Sequence, residues 1–444
     1  MDGECSVQLC KIKTLPIYNV FDIINLYINF FMDFVRFTME TVLSLPLKIH
    51  NREICNRVVF HPMEGCDGTF DGGIDELTRR RYLRFAKSGA GIIWFEATAV
   101  TNEGRANPRQ LFLNENTKDS FRALVKEIKA VSLAENGFEP VIIVQLTHSG
   151  RFSKPNGTPE PIVTYRNSHW EIGKENQPYI VATDDYLSTI PDKYYNAAVF
   201  AKEVGFDGID VKCCHGYLFN ELLSATEREG VYGGSLRNRT RLYFDCIDAV
   251  KKAVGEDVFV TTRLNACDCF PYPFGFGVDE NNNIDLSETK LIIKELYEKG
   301  IRLINLTLGN PYLIPHINRP CMNAPEDGEA GLKRIYDVTK ELNEAFPEIS
   351  FIASGLTYPA DSAMEYAERI INDGVADFAG FGRLTFAYPS FYKDYLEKGT
   401  LDKNKVCLKC SKCSLLMRAG TVAGCPIRDS EVYMPYYQKY VSGK

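Results

Sequence analysis

The sequence predicts a (β/α)₈ barrel. From about residue 54 onward, short apolar runs alternate with longer helix-like segments, which is the pattern of a parallel sheet joined by crossover helices. The eight predicted strands are Val58–Met63, Gly91–Val100, Pro140–His148, Gly208–Cys214, Val258–Ala266, Leu303–Gly309, Ser350–Gly355 and Asp377–Arg383. A doubly wound sheet usually has fewer strands and a glycine-rich turn after the first one. Because the chain has no G-x-G-x-x-G turn and no P-loop motif, the barrel is the better prediction.

Polar side chains and glycines follow the predicted strands, as expected in a barrel whose active site lies at the carboxyl ends of its strands. These residues are Glu64, Thr98, Gln145, His148, Lys212, His215, Tyr217, Arg263, His316, Gly355, Gly382 and Arg383. The helix-like stretches between the strands are Glu76–Ser88, Thr117–Ala134, Lys193–Val204, Asn238–Ala253, Ser287–Lys299, Gly331–Ala345 and Pro359–Asn372. The placement of the polar residues supports the barrel independently of the number of strands.

The composition is that of a globular protein, since 45% of the 444 residues are hydrophobic and 25% are charged. The formal net charge of −7 argues against a nucleic-acid partner, because phosphate binding needs a basic face. Most of the 14 cysteines are scattered singly in a long chain without an evident signal peptide, which indicates a reducing compartment and predicts a cytoplasmic location. We expect a small-molecule substrate, and a homo-oligomer stays open.

Residues 1–45 are predicted to form an N-terminal extension, residues 46–400 the barrel, and residues 401–444 a C-terminal cysteine segment. The stretch Leu15–Leu47 is rich in apolar residues. Polar residues interrupt it every three or four positions, at Asp22, Asn25, Asn29, Asp33, Arg36 and Glu40. This spacing favours an amphipathic or partly disordered segment over a membrane span, which needs about 20 mostly apolar residues.

Several motifs, in a fixed order, resemble those of one enzyme family. Asn56–Met63 reads NRVVFHPM, Gln145–Arg151 reads QLTHSGR, and His215–Arg239 contains HGYL, then LS, then YGGSLRNR. They resemble the N-R-x-x-x-x-P-M, Q-L-x-H-x-G-R and H-G-Y-L…L-S…Y-G-G-S-x-x-N-R motifs of the old yellow enzymes and their 2,4-dienoyl-CoA reductase relatives. The resemblance extends over about residues 46–430, and it implies an FMN-dependent oxidoreductase.

The cofactor that the resemblance implies fits the chemistry of the residues. A flavin needs backbone N–H groups for its phosphate and a positive charge near its N1–C2=O edge. Arg263 would supply that charge, although a structural ion pair is the alternative, and Gln145 would bond the pyrimidine edge. The other cofactor-binding residues predicted are Pro62, Met63 and Ala97 at the ring, Glu64 at the flavin edge or facing the cysteine segment, and Ser354, Gly355, Gly382 and Arg383 at the phosphate.

The substrate side departs from the family pattern at one position. Family members place H-x-x-H or H-x-x-N at the end of strand four to bind a carbonyl oxygen, whereas this chain has Lys212 and His215. Lys212 could polarise the carbonyl, or it could pair with a carboxylate and leave the carbonyl to His215. Tyr217 is predicted to protonate the carbon next to the carbonyl. His316, after strand six, is predicted to assist proton delivery, as a histidine near this place does in the dienoyl-CoA reductase branch.

Four cysteines are predicted to bind a [4Fe–4S] cluster. They are Cys407, Cys410, Cys413 and Cys425. Cys-x₂-Cys-x₂-Cys is a common arrangement for the first three ligands of such a cluster. The dienoyl-CoA reductase branch has a similar segment, with one more residue between the second and third cysteines. Zinc is the alternative, because Cys₄ zinc sites also begin with C-x₂-C.

The predicted reaction is reduction of a C=C bond conjugated to a carbonyl, with hydride from FMN N5, a proton from Tyr217 and electrons relayed through the cluster. In the longer relatives a C-terminal FAD/NAD(P)H-binding half feeds the cluster, and this chain stops at Lys444, shortly after Cys425. We therefore expect electrons from a separate donor protein or directly from NAD(P)H. Two alternatives stay open: a general NAD(P)H:flavin, quinone or nitro oxidoreductase, and a non-catalytic electron-transfer subunit.

Overall fold

The fold is known from a computed structural model, which describes residues 40–172 and 177–443. The strands of this part are β1 (Leu47–Ile49), β2 (Arg52–Ile54), β3 (Val58–Phe60), β4 (Ile92–Ala99), β5 (Val141–Thr147), β6 (Ile162–Val163), β7 (Ile180–Val181), β8 (Gly208–Val211), β9 (Phe259–Asn265), β10 (Leu303–Thr307), β11 (Ser350–Ala353) and β12 (Phe378–Phe381). Strands β3, β4, β5, β8, β9, β10, β11 and β12 close into a parallel barrel in that order. The predicted barrel is confirmed.

Helices surround the barrel and follow its strands. The α-helices are α1 (Glu76–Ala86), α2 (Lys118–Asn136), α3 (Ser168–Glu171), α4 (Asp184–Ser188), α5 (Ile190–Val204), α6 (Leu218–Leu223), α7 (Leu236–Val254), α8 (Ser287–Glu298), α9 (Pro315–Asn318), α10 (Gly328–Ala345), α11 (Ala363–Asn372), α12 (Arg383–Ala387), α13 (Phe391–Lys398), α14 (Lys412–Arg418) and α15 (Ser430–Tyr437). Local signals set several of their ends. The Asp75 carboxylate accepts the N–H of Glu76 at the start of α1, and Gly205 in the left-handed region ends α5.

The core lies on both sides of the barrel wall, because alternate side chains of a strand point to opposite faces. In β3, Phe60 packs outward, with its ring 5.2 Å from that of Phe85 on α1. Val59, one residue earlier, belongs to a separate apolar cluster that includes Trp94. Ile54 of the β1–β2 hairpin joins that cluster. Apolar packing therefore fills the barrel on the hairpin side, and the open space lies at the carboxyl ends of the strands.

The strands end earlier than the sequence predicts. Strand β3 ends at Phe60 rather than Met63, β8 at Val211 rather than Cys214, and β12 at Phe381 rather than Arg383. Among the residues beyond these ends, Pro62, Met63, Lys212, Gly382 and Arg383 line the cavity described below. Hydrophobic runs thus marked the strands correctly, but they also included the first residues of the active-site loops.

The predicted N-terminal segment lies, up to residue 39, outside the described residues. From Glu40 onward the chain belongs to the compact unit that contains the barrel. Leu43, in the 3₁₀ turn Val42–Ser44, is buried in the main apolar cluster. No helix in the described part of the chain is long and apolar enough to cross a membrane.

Candidate active site

A cavity opens at the carboxyl ends of the barrel strands. Counted out to its mouth and including open solvent, its empty volume is about 1080 Å³. Of the predicted site residues, its wall contains Pro62, Met63, Glu64, Lys212, His215, Tyr217, Arg263, Ser354, Gly355, Gly382, Arg383 and Cys413. Residues from distant parts of the sequence therefore meet at one place, as the barrel topology requires.

Arg263 is a buried cation without a carboxylate partner among the described residues. It lies on β9 with 7% of its surface exposed. The Asp210 carboxylate accepts the backbone N–H of Arg263 at 2.7 Å and not its guanidinium. The Nε of Arg263 has no hydrogen-bond partner among the described residues. Burial lowers the pKa of Arg263 below its ordinary value. A buried charge of this kind needs an anion or an acceptor in the cavity, which argues against the structural ion pair.

The turns after β11 and β12 form a cationic, closely packed end of the cavity. Gly355 has a φ of 88°, in the region that glycine adopts without strain. A Cβ on Gly382 would lie 3.1 Å from Met63 Sδ, so a larger residue would crowd the Met63 side chain. Arg383 donates from Nη2 to the Pro320 carbonyl, but its Nη1 has no partner among the described residues. This end is suited to an anionic group such as a phosphate.

Arg319 adds a further charge that the sequence did not single out. It lines the cavity, and its Nε lacks a hydrogen-bond partner within the described chain. Burial and the nearby Arg383 and Arg418 lower the pKa of Arg319 to about 10. The guanidinium groups of Arg319, Arg383 and Arg418 repel one another, and none of the three forms a salt bridge within the described residues. An anion bound between them would relieve that repulsion.

Tyr217 lies at the centre of a polar group on the substrate side. Its hydroxyl is 2.8 Å from the Tyr312 hydroxyl and 3.3 Å from Glu64 Oε1. Burial, together with the charge of Glu64 and the neighbouring Tyr312, raises the pKa of Tyr217 well above its ordinary value. The hydroxyl therefore keeps its proton near neutral pH and can act as a proton donor.

Lys212 pairs with a carboxylate, which is one of the two roles foreseen for it. Its ammonium lies 3.6 Å from Glu64 Oε1 and 3.8 Å from the centre of the Tyr217 ring, and only 2% of the side chain is exposed. The charge is thus balanced by Glu64 and by the face of an aromatic ring. Lys212 thus holds Glu64 and Tyr217 in one group.

His215 has a nitrogen ready for a ligand. The residue is in the left-handed region, with φ of 66°, and its Nε2 is buried without a hydrogen-bond partner among the residues described. Burial, with the positive charges of Lys212 and Arg263, lowers the pKa of His215 well below 6.5. The ring is therefore neutral near pH 7, and Nε2 can donate to or accept from a bound molecule according to its tautomer.

Three of the residues predicted to bind the flavin or the substrate do not line the cavity. Ala97 is fully buried in β4, where its carbonyl accepts from Gln110 Nε2. The Gln145 amide donates to Asp210 Oδ2 at 2.6 Å. His316 lies half-buried on the short helix α9. From the same loop Tyr312 reaches the cavity instead, stacked on Phe152 with 3.8 Å between ring centres.

A buried charged network supports the loop after β3. Arg81 pairs at 2.7 Å with both Asp67 and Glu96, and Glu96 Oε2 accepts the N–H of Gly65. Burial raises the pKa of Glu96 to about 7, although Arg81 opposes the shift. The Gly65 carbonyl in turn accepts the N–H of Ala423, which ties this loop to the cysteine segment.

Of the four predicted metal ligands, Cys413 lines the cavity, and its charge affects the pKa of Cys407 and of Cys425. Cys407 is buried, Cys413 and Cys425 are half-buried, and Cys410 is exposed. Burial raises the pKa of Cys407 to about 11, and the charges of Cys413 and Cys425 add to the increase. The Cys407 and Cys425 sulfurs each accept a backbone N–H at 3.4 Å. Within residues 40–172 and 177–443, no three Cys, His, Asp or Glu side chains are grouped to hold a metal ion.

The sequence of this barrel matches one family model over residues 43–397, that of the NADH:flavin oxidoreductase / NADH oxidase family. The chain belongs to this family. Membership makes it a flavin-dependent oxidoreductase, and the NADH:flavin oxidoreductase family implies FMN and NAD(P)H as its cofactor and electron donor.

Curated relatives and solved structures agree with the family and the fold. The chain is 31% identical over 370 residues to an NADPH dehydrogenase of Geobacillus sp. (strain WCH70), covering 82% of this chain and 96% of the relative. It is 29% identical over 371 residues to an NADH oxidase of Thermoanaerobacter brockii, covering 82% of this chain and 52% of the oxidase, so it spans about half of that relative. A 2-naphthoyl-CoA reductase in complex with 2-naphthoyl-CoA superposes with a TM-score of 0.71 at 20% identity, over 87% of this chain and 56% of the other. The similarity to this reductase shows a shared fold.

Proposed function

We propose that this protein is an ene reductase, which uses FMN to reduce a C=C bond conjugated to a carbonyl group. The observation that carries the proposal is that Tyr217, His215 and Arg263 line one cavity, with the Nε2 of His215 unpartnered among the described residues. FMN supplies the hydride from its N5 when it is bound. A carbonyl-binding nitrogen and a proton donor are the two groups that the substrate then needs.

The residues of the cavity fit FMN. Arg263 offers an unpartnered positive charge to the electron-rich edge of an isoalloxazine ring, and Arg383 offers unpartnered N–H groups to a phosphate. Ser354, Gly355 and Gly382 lie beside Arg383 in the wall, where backbone N–H groups can add to phosphate binding. Pro62 and Met63 provide an apolar surface for the ring.

On the substrate side we assign His215 to the carbonyl oxygen and Tyr217 to the proton. Withdrawal of electron density by His215 makes the β carbon a better hydride acceptor, and Tyr217 then protonates the α carbon. Tyr312, bonded to Tyr217, is placed to return a proton to it. This arrangement favours an ene reductase over a general flavin or quinone reductase, because outer-sphere electron transfer needs no positioned proton donor.

We further propose that the chain belongs to the iron–sulfur branch of the family. A [4Fe–4S] cluster bound by Cys407, Cys410, Cys413 and Cys425 would supply single-electron transfer beside the cavity. Two features support it: Cys413 lies in the cavity wall, and Lys409 and Ser411 adopt left-handed backbone angles that curl the chain between the cysteines.

The electron donor is NAD(P)H or a separate protein. Residues 403–428, around the cysteines, contain six basic and no acidic residues in a chain whose net charge is −7. This local charge suits an acidic electron-carrier protein. NAD(P)H alone would suffice if it reduced the flavin at the cavity. Anaerobic reduction by NADPH, compared with reduction by an acidic ferredoxin held reduced by an electrode, separates the two routes.

The first experiment is an anaerobic absorption spectrum, with flavin, iron and zinc quantified. We expect one FMN per chain and about four irons. Cys425→Ser should lower the iron content, whereas Cys55→Ser, a matched change at a half-buried cysteine outside the segment, should leave it unchanged. Zinc without iron would contradict the cluster and leave the ene reductase standing. A protein that binds no flavin would contradict the proposed function as a whole.

A second prediction concerns the Lys212–Glu64 pair. Lys212→Met should lower the free energy of unfolding by about 1–3 kcal/mol, because it leaves the Glu64 carboxylate without its cation. Adding Glu64→Gln should restore part of that loss, since no unpaired charge then remains. Thermal unfolding of the two variants and of Glu64→Gln alone measures the coupling. If Lys212→Met is as stable as the wild type, the pair has no structural role.

A further inference from the structure

Two cysteines outside the cavity form a close pair. Cys267 and Cys269 follow β9, at the same end of the barrel as the cavity, and their sulfur atoms are 3.5 Å apart. Cys267 is fully buried, whereas Cys269 is half-buried and has a φ of 53°. The Cys269 N–H also donates to the Cys267 sulfur at 3.2 Å. The turn thus directs both side chains to one point.

This arrangement has the chemistry of a thiol that reacts and a thiol that resolves. An accessible thiol can be oxidised by a peroxide, and a second thiol beside it can then displace water to close a disulfide. Arg334, which pairs with Glu326, is close enough to both sulfurs for their charges to affect its pKa. The Arg334 guanidinium therefore lies near both thiols.

The residue between the two cysteines is connected to the active site. Asp268 is buried, and its carboxylate accepts from Asn220 Nδ2 at 3.1 Å and from Asn265 Nδ2 at 2.6 Å. The oxygen of the same amide, Asn220 Oδ1, accepts the backbone N–H of Gly216 at 2.6 Å. Gly216 stands between the two residues assigned to the carbonyl and the proton. Asp268 is therefore a positioning residue for their turn.

We propose that Cys267 and Cys269 form a reversible disulfide, and that its formation displaces Asp268 and weakens the hold on the His215–Tyr217 turn. The oxidant is a hydroperoxide. The Cys269 thiolate attacks the O–O bond, which releases the alcohol or water and leaves a sulfenic acid. The Cys267 thiol then attacks that sulfur, a second water leaves, and the two thiols have lost two electrons and two protons to the peroxide.

The expected effect on catalysis follows from the distances. A disulfide is about 2.05 Å long, so the sulfurs must approach by about 1.5 Å from their 3.5 Å separation. Asp268 lies in the short loop that has to move. A misplacement of about 1 Å at a catalytic group can cost about a hundredfold in rate. We expect oxidation to lower kcat about ten- to a hundredfold, while FMN stays bound.

The test is stepwise oxidation of the holoenzyme with hydrogen peroxide. Free thiols are alkylated with one reagent, the protein is reduced, and the released thiols are alkylated with a second reagent and located by mass spectrometry. We expect Cys267 and Cys269 to take the second label together, and enone reduction to fall and then recover with dithiothreitol. In Cys269→Ser the rate should resist peroxide, whereas Cys55→Ser should behave as the wild type. Cys267→Ala provides a second variant that removes the resolving thiol.

Two results would overturn the proposal. In the first, Cys267 and Cys269 take only the first label at peroxide levels that already oxidise other cysteines. In the second, the pair closes but kcat is unchanged, so the link through Asp268 is absent. The labelling readout does not depend on the proposed function, so failure of the pair to close and failure of the ene reductase assignment are distinguishable. Flavin and iron, measured on the same samples, detect loss of either group as a separate cause.

Discussion

Tyr217→Phe should lower kcat for the reduction of an enone such as 2-cyclohexenone by about 10²- to 10⁴-fold, the usual contribution of a positioned proton donor. The substitution removes one oxygen atom and leaves the ring stacked under Lys212. Because the hydroxyl lies on the substrate side, flavin reduction by NADPH should change little. Stopped-flow absorbance of the two half-reactions, measured separately, shows which of them is lost.

The control for this variant is Tyr243→Phe. The Tyr243 hydroxyl is also buried, but it bonds Thr262 Oγ1 in the barrel wall and does not line the cavity. Tyr243→Phe should therefore lower the free energy of unfolding and leave the rates of both half-reactions unchanged. Tyr312→Phe tests the alternative donor, because its hydroxyl is the closest one to Tyr217. A Tyr217→Phe enzyme that reoxidises at the wild-type rate would transfer the assignment to Tyr312.

Arg263→Met should weaken FMN binding about ten- to a hundredfold, which corresponds to about 1.5–3 kcal/mol for a hydrogen bond to a charged group. The apoprotein should be no less stable than the wild type, because the lost guanidinium is buried and makes no side-chain hydrogen bond within the described residues. Arg263→Lys should lie between the two, since it keeps the charge and loses the planar fork. FMN titration of the apoproteins gives the dissociation constants, and thermal unfolding gives the stabilities.

The two measurements distinguish a role of Arg263 in FMN binding from a role in the stability of the fold. If Arg263→Met unfolds well below the wild type while its FMN affinity is normal, Arg263 is a structural residue. Arg237→Met serves as a control for the loss of an exposed arginine on α7. The same pair of measurements applies to Arg383→Met, at the predicted phosphate end of the cavity.

The residues of the cavity wall could be predicted from the sequence because the barrel topology determines the position of most of them. Once the eight strands are assigned, every residue just after a strand lies at one end of the molecule, whatever its separation along the chain. Arg263, Tyr217 and Gly382 meet for that reason. The motifs then indicate which of the residues at that end are functional, because each motif has a fixed spacing between its functional residues.

Side-chain direction and long loops could not be predicted in this way. Gln145 lies at the predicted position on β5, but its amide turns to the buried Asp210 carboxylate, whose partners come from three other strands. In the loop after β10, the helix α9 keeps His316 away from the cavity, and Tyr312 and Arg319 line it. No local pattern in that loop distinguishes these residues. The role of Lys212 was open for the same reason, because its partner Glu64 lies about 150 residues earlier in the chain.

The central claim is that a bound FMN in this barrel delivers hydride to an activated alkene while Tyr217 delivers the proton. The most direct measurement is an anaerobic reoxidation of the reduced enzyme with 2-cyclohexenone in ²H₂O, followed by mass spectrometry of the product. The account predicts return of the oxidised flavin spectrum and a solvent deuteron on the α carbon of the saturated ketone, beside the deuterium that the exchangeable N5–H of the reduced flavin carries to the β carbon. A flavin that stays reduced with the enone, yet reoxidises with a quinone, would contradict the account and favour the general oxidoreductase.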